Sequence, residues 1–437
     1  MQHQLRRFFQ DRGHWWTSSR RTTAYKWVLV VITGIVIGVM GFGVSNGINA
    51  LTNFKFHTAN SYLNDKKWAN AFFSFLTISV TYALAAGCLC AIEPAAAGSG
   101  IPEIKAFLNG VNLNRIVRIK VLYTKVIGMI LSVSSGLPLG KEGPMIHTGS
   151  IVGAAVSQGK TITFGFDTSW SKFQDLRNDK SKRDFVTFGA SAGVAAAFAA
   201  PIGGILFTLE EGASFWSTSL TFRSFFCAMM TMLTISILFQ GDKLGRTGGG
   251  VGFQFGTFSD ANYFMYELFI FTVIGITGGV FGAMFNRINE YVTIFRMNNY
   301  KSTWQRMLEL LFLAVIWTCI SFVLPLMWQS CTPIPTQSAS WTSQQYDLMK
   351  DLVQFQCDDN TYNEVASLYF VNADIAMQQL FHYQEAVGAT YVTFSTGALI
   401  MFMVPYFLMA AVVSGTFVPA GLFVPTLLSG AAYGRSV

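Results

Sequence analysis

Charged residues are scarce in this chain of 437 residues. Asp, Glu, Lys and Arg make up 12% of it, whereas soluble domains carry about 25%. Hydrophobic residues account for 51%, and several long stretches contain no charge at all. The composition excludes an ordinary soluble domain and predicts an integral membrane protein.

Histidine and cysteine are also rare, with 5 and 6 copies. Cys88 and Cys90 have no histidine nearby and therefore indicate no metal site. No nucleophile forms a catalytic pattern with histidine, so the sequence predicts neither an enzyme nor a cofactor. Cys331 and Cys357 lie in a long polar segment, and they are a candidate disulfide pair if that segment faces an oxidising lumen.

The net charge of +7 comes from basic residues that cluster between the apolar runs, as they do in cytoplasmic loops. It therefore gives no indication of nucleic-acid binding. Residues 1–26 are basic and lack the apolar core of a signal peptide, which predicts a cytosolic N-terminus. We expect this cytosolic segment to be followed by a transmembrane domain over residues 27–437.

Apolar runs alternate with polar links along that domain. Spans are predicted at residues 27–48, 72–92, 224–240, 268–286 and 307–328, and shorter or interrupted runs lie at 121–139, 145–159, 185–209 and 386–434. The basic links 105–120 and 161–184 are predicted to be cytosolic. A further basic link covers 287–306, and the polar insertion 329–385 is predicted to be luminal or extracellular.

Three of the interruptions share the pattern Gly-x-x-x-Pro, at residues 98–102, 140–144 and 415–419. Irregular backbone at membrane depth is tolerated inside protein or beside an aqueous cavity, and transporters build ion sites from such broken helices. Glycine lets the backbone approach a ligand, and proline starts the next helix. The pattern predicts three helix N-termini, each partly positive, that face one anion site.

Glu142 lies in the second of these breaks, directly before Gly143-Pro144. A carboxylate in an apolar protein is costly and indicates a function. Because N–H groups at a helix start favour an anion, we expect Glu142 and a dissolved anion to compete for the same donors. One copy of the pattern could be an ordinary helix break, but three copies favour an anion site.

The three breaks resemble the filter motifs of the CLC chloride channels and transporters. They read Gly98-Ser99-Gly100-Ile101-Pro102, Gly140-Lys141-Glu142-Gly143-Pro144 and Gly415-Thr416-Phe417-Val418-Pro419. The resemblance extends from about Thr23 to the end of the chain. The stretches at 182–185, 203–216 and 368–370 are most similar to the lysosomal and late-endosomal chloride–proton exchangers. This resemblance implies an all-α membrane fold of broken, tilted helices in inverted repeats.

The resemblance also implies a role for each matched position. Glu142 is the expected gating glutamate, which enters the anion path when ionised and leaves it when protonated. Glu211 is the expected proton glutamate that separates exchangers from channels, with a solvated acid at a helix end as the alternative. A serine at position 99 favours chloride over nitrate. The expected chloride-binding residues are Ser99, Gly100, Ile101, Gly143, Thr416, Phe417 and Val418.

For two residues near Glu142, the sequence predicts a role less specifically. Lys141 either raises the local anion concentration at the pore mouth or is simply solvated. His147 is expected to be a packed residue on the helix behind Glu142.

The family pattern continues beyond Val437 through further helices and, in eukaryotic members, a pair of cystathionine-β-synthase-type domains, where any nucleotide would bind. The second repeat is therefore expected to be incomplete here, and we interpret the chain as a fragment rather than a truncated product. The implied function is chloride/proton antiport across an endosomal, lysosomal or vacuolar membrane, by a homodimer with an accessory β-subunit as a further candidate partner. A passive voltage-gated chloride channel and a non-conducting partner subunit are the alternatives.

Overall fold

The computed structural model describes residues 17–111, 113, 115–159, 177–240, 264–328, 330–334, 351–358, 360–382 and 393–437. These residues are almost entirely helical, with short strands only in the polar insertion, which confirms the predicted all-α class. The chain divides into two compact units. The first takes the described parts of residues 1–43, 100–123 and 145–252, and the second those of 44–99, 124–144 and 253–437.

The described helices are numbered in chain order. Helices α1 to α7 are Ser18–Asn64, Trp68–Ile92, Ile101–Leu108, Ile119–Ser134, Glu142–Gln158, Asp179–Phe198 and Pro201–Phe207, and a π-helical turn, Thr208–Gly212, follows. Helices α8 to α14 are Thr218–Gln240, Glu267–Asn299, Thr303–Met327, Glu364–Tyr369, Ala373–His382, Thr396–Val413 and Phe423–Ser436. Strands β1 (Cys331–Pro333) and β2 (Thr361–Asn363) pair antiparallel, with Cys331 opposite Asn363.

Six of the described helices are long and apolar enough to cross a membrane. Their candidate spans are Arg20–Leu63, Trp68–Ile92, Thr218–Phe239, Glu267–Asn299, Thr303–Met327 and Thr396–Val413. The predicted spans fall within these helices, except that the span predicted at 307–328 ends one residue beyond Met327. The shorter helices α3, α5, α7 and α14 lie next to the glycine and proline breaks.

The first unit is held together by close helix contact. Phe185 and Phe188 of α6 pack in one cluster with Ile37 of α1 and Cys227 of α8. Glycines bring α5 and α6 into backbone contact, since a Cβ atom on Gly153 would lie only 2.1 Å from the carbonyl oxygen of Phe185. Such small residues replace the hydrophobic driving force that helices lack in lipid.

The second unit has an aromatic core. The rings of Phe75, Phe322 and Phe370 contact one another, and those of Phe402 and Tyr406 stack with centroids 5.0 Å apart. These rings come from helices α2, α10 and α13 and from the residue after α11. Ring pairs at these distances add to the free energy of burial.

The described parts of the polar insertion are folded, which the sequence did not predict. Cys331 and Cys357 are joined by a disulfide. The Glu364 carboxylate is 4% exposed and accepts hydrogen bonds from the Thr332 hydroxyl (2.7 Å) and from the Ser395 N–H (2.9 Å). A fully hydrogen-bonded buried carboxylate can anchor a polar segment, so the insertion is fixed to the start of α13.

Two helices continue past their predicted ends. Helix α1 reaches Asn64, and its Lys55 is 1% exposed with Nζ donating to the Ser134 carbonyl at 3.0 Å. Helix α9 reaches Asn299 through the link predicted at 287–306, where Arg287 pairs with Glu290 of the same helix and the buried Arg296 pairs with Glu309 of α10. Helix α6 likewise begins at Asp179, inside the predicted polar link. Lys55 and Arg296 lie buried within their helices because protein groups replace the water that a charge otherwise needs.

Candidate functional site

The first and third glycine breaks pair with each other in the second unit. The N–H of Gly98 donates to the carbonyl of Val418 at 2.9 Å, and the N–H of Ala420 donates back to Gly98 at 3.4 Å. Gly98 and Gly415 have φ values of +71° and +79°, a backbone region that glycine enters without steric cost.

The second break joins the same group. Gly140 and Gly421 exchange two backbone hydrogen bonds, at 2.7 and 2.8 Å, and so form an antiparallel bridge. The Ser132 hydroxyl of α4 also donates to the carbonyl of Pro419, at 2.7 Å. The third segment therefore contacts both other segments, as the prediction of one common site requires.

One detail of the helix prediction is wrong. Pro102 and Pro144 lie in the first turns of α3 and α5, but Pro419 does not start a helix, since α14 begins at Phe423. The residues between Pro419 and Phe423 carry the bridge to Gly140. The hydrogen bonds of that bridge hold the backbone extended and delay the helix.

Glu142 is the first residue of α5 and is 1% exposed. Its carboxylate lies against Gly140, where a Cβ atom would be 2.3 Å from the Oε2 atom. The backbone N–H groups of Glu142 and of Val424 face it, the second from the start of α14. Within the described chain neither carboxylate oxygen makes a hydrogen bond of ordinary length and angle. The carboxylate is thus buried beside two helix starts without a firm partner.

Three further side chains act on the Glu142 carboxylate by charge or dipole. They are Lys141, Asp374 of α12 and Tyr406 of α13. Lys141 is neither solvated nor free, because its ammonium forms an ion pair with Asp374 at 2.9 Å. Nothing in the sequence pattern links positions 141 and 374, so sequence reasoning missed this pair.

Gly143 and Ser99 are in close contact. A Cβ atom on Gly143 would lie 2.8 Å from the Cβ atom of Ser99, and one on Gly421 would lie 3.0 Å from the nitrogen of Gly143. Both contacts are shorter than van der Waals separation. Glycine at these two positions is what lets the backbone segments approach each other.

We therefore expect Gly143→Ala to reduce anion flux strongly, because the methyl group must displace Ser99 and the adjacent backbone. Overpacking of this kind costs about 1–3 kcal/mol, to be measured as a lower unfolding temperature together with flux in liposomes. Gly430→Ala in α14 is the matched control, since a Cβ atom there meets nothing within 4 Å. Normal flux in Gly143→Ala would show that this contact is dispensable.

The predicted residues of the third segment are buried, with Thr416, Phe417 and Val418 exposed by 3%, 6% and 0%. The N–H groups of Thr416 and Val418 already donate within the turn, to Val413 (3.1 Å) and Thr416 (2.8 Å). Among the described residues, the Phe417 N–H and the Thr416 hydroxyl have no hydrogen-bond partner. These are the donors that the segment can offer to a ligand.

The remaining predicted residues belong to the first unit. Gly100 precedes α3 with a φ of +81°, and Ile101 begins that helix. A Cβ atom on Gly100 would lie 2.0 Å from Nδ1 of His147. The His147 ring is fully buried, with Nε2 3.2 Å from the Ile116 carbonyl oxygen, as expected for a packed residue.

Glu211 is exposed in the π-helical turn and pairs with Lys105 of α3 at 2.9 Å. The hydrogen bond and the charge of Lys105 hold the pKa of the Glu211 carboxyl below its usual range. The group is therefore ionised at neutral pH and open to solvent. Glu210 beside it is also exposed.

Comparison with known proteins identifies the family. The family model described as voltage gated chloride channel matches residues 81–437. The H(+)/Cl(-) exchange transporter 7 of Homo sapiens is 36% identical over 430 residues, covering 96% of this chain and 51% of the relative. Chloride channel protein C of Dictyostelium discoideum is 37% identical over 423 residues, covering 95% and 54%. This chain thus spans about half the length of these curated relatives, which are named as transporters and channels rather than enzymes.

Solved structures agree in fold. A slow cyanobacterial Cl-/H+ antiporter superposes with a TM-score of 0.67 at 21% identity, covering 94% of this chain and 79% of that one. A eukaryotic CLC transporter gives a TM-score of 0.64 at 19% identity, covering 94% and 60%. Together with the three glycine breaks that meet beside Glu142, these matches show that the chain is a multi-pass membrane protein of the voltage-gated chloride channel family.

Proposed function

We propose that this chain is the transmembrane part of a protein that exchanges chloride for protons across an endosomal, lysosomal or vacuolar membrane. The observation that supports it most is the buried Glu142 carboxylate, which has no firm hydrogen bond and lies where three glycine segments meet. Leaving an ion so poorly paired costs several kcal/mol. Such a poorly paired carboxylate is easily displaced, as a mechanism requires in which a second anion replaces it in each transport cycle. The relative named as an H(+)/Cl(-) exchange transporter supports the same function.

In this mechanism chloride and the carboxylate compete for the N–H groups at the helix starts. Chloride that enters from one side displaces Glu142, and the displaced carboxylate takes a proton. The neutral side chain no longer competes, so chloride passes. Ser99, the Thr416 hydroxyl, the Phe417 N–H and the first turn of α5 at Gly143 serve as the further donors. No cofactor or metal takes part.

Glu211 is assigned the second proton step in this proposal. Its exposure and its charged state at neutral pH suit a group that exchanges protons with bulk water. The Lys105 ammonium keeps it ionised, so a proton that it takes up is readily released again. The proton reaches Glu142 or leaves it through this residue, which couples the two ion flows.

We expect Glu211→Ala to stop proton movement and to leave chloride flux in place. The test uses the full-length protein in liposomes, with a chloride gradient as the driving force and a pH dye inside. Glu210→Ala is the matched control, because it removes the neighbouring exposed carboxylate, and it should keep both flows. Proton movement that persists in Glu211→Ala contradicts the assigned role.

A passive chloride channel is the second candidate, since one relative is named a chloride channel. The same assay separates the two: a channel carries chloride down its gradient without moving protons in the unmodified protein. Flux that is missing in every preparation of the full-length protein would instead favour a non-conducting partner subunit. Assembly as a homodimer, with an accessory β-subunit as a further partner, completes the proposal and is tested by the mass of the purified complex.

A further inference from the structure

The ion pair between Lys141 and Asp374 lies directly beside Glu142. It joins two segments of the second unit that are 233 residues apart in sequence, with Nζ and Oδ2 at 2.9 Å. The two side chains are only 14% and 32% exposed. Asp374 is in the first turn of α12, within the polar insertion, where the helix start also stabilises a carboxylate.

The backbone at Glu142 is held by contacts other than this pair. Gly140 is fixed to Gly421 by two backbone hydrogen bonds, and α5 begins at the next residue but one. Lys141 thus extends from a segment that is already in place. We therefore attribute the position of Asp374 opposite Lys141 to its charge.

The groups that face Glu142 come from its own segment and from helices α12, α13 and α14. Lys141 of its own segment favours the ionised carboxylate, and Asp374 of α12 opposes ionisation. The Tyr406 ring of α13 contributes its hydroxyl, and α14 contributes the N–H of Val424. In a buried setting such charges are screened little by salt. The balance between Lys141 and Asp374 therefore changes how readily Glu142 takes a proton.

We propose that Asp374 sets the pH range of exchange by neutralising the Lys141 ammonium beside Glu142. This inference rests on the proposed function, because it assumes that transport requires protonation of Glu142. It makes the polar insertion an electrostatic part of the transport site. Any event that moves α12 away from Lys141 then changes the pH at which exchange runs.

The test measures chloride flux against pH for the full-length protein in liposomes. Asp374→Asn leaves the ammonium uncompensated, which stabilises the ionised Glu142 and moves the midpoint about one unit to lower pH. Lys141→Gln leaves the Asp374 charge uncompensated and moves the midpoint to higher pH. The double variant loses both charges and should lie near the unmodified protein. Asp65→Asn is the control, because it removes an ion pair with Lys67 whose side chains are 59% and 60% exposed.

Opposite shifts in the two single variants, with an unchanged unfolding temperature in detergent, support the proposal. Identical midpoints in Asp374→Asn and the unmodified protein overturn it, as does a shift of the same sign in both single variants. Glu142→Gln separates this failure from that of the proposed function. If it removes the pH dependence while Asp374→Asn has no effect, only the role of Asp374 is refuted. If the pH dependence survives in Glu142→Gln, the proposed function itself is refuted.

Discussion

Replacing Glu142 with glutamine is expected to stop proton transport and to leave a chloride flux that no longer responds to pH. Glutamine has nearly the shape of glutamate but stays neutral, so it can neither bind a proton nor compete with chloride as an anion. The carboxylate is 1% exposed and lacks a firm partner, so its removal also relieves a desolvation cost of several kcal/mol. We therefore expect the variant to fold and to unfold at no lower temperature.

Proton and chloride movement are to be recorded together in liposomes at several pH values. Glu210→Gln is the control for the loss of a carboxylate, since Glu210 is exposed in the turn after α7. Glu142→Asp is a second test, because a shorter carboxylate cannot lie against Gly140 in the same way. Continued proton transport in Glu142→Gln would be incompatible with the mechanism.

Replacing Arg296 with methionine is expected to be the most destabilising of these changes. Arg296 is 9% exposed on α9, and its Nε donates to Glu309 of α10 at 2.6 Å. Its other two nitrogens donate to the carbonyls of Val412 and Ser414, at the end of α13. Removing one partner from a buried ion pair costs about 3–5 kcal/mol, and here two carbonyls lose a donor as well.

The loss should affect transport as well as stability, because Ser414 directly precedes the third glycine segment. Arg287→Met on the same helix is the matched control: its pair with Glu290 is 63% and 54% exposed, and such pairs contribute about 0–1 kcal/mol. The double variant Arg296→Met with Glu309→Leu should recover part of the loss, since no buried charge remains. Unfolding in detergent and flux in liposomes measure both effects. Equal stability of Arg296→Met and Arg287→Met would show that the buried pair contributes nothing.

The apolar runs, the broken helices and the position of Glu142 at a helix start could be predicted from the sequence because their causes are local. A run of apolar residues requires a helix in lipid, and clustered glycine and proline favour a break in it. The ends of the helices were harder to predict. Helices α1 and α9 continue past Lys55 and Arg296 because those buried side chains have distant protein partners that the sequence pattern does not show.

The candidate site, too, could be predicted from the sequence only in part. Its residue types follow from the repeated Gly-x-x-x-Pro pattern, and the family resemblance assigns their roles. The assignment of Glu211 stays a prediction, since among the described residues its ion pair with Lys105 does not test it. The bridge between Gly140 and Gly421 and the pair of Lys141 with Asp374 involve residues more than two hundred positions apart. No spacing rule connects them.

Helical membrane segments, three breaks and one acid among them could be inferred from the order of the residues. The folded chain was needed to show which backbone groups are already hydrogen-bonded, which donors stay available beside Glu142 and which charges act on it. The reason is physical: helix formation depends on neighbours along the chain, whereas the free energy of a buried charge depends on every group that surrounds it in space.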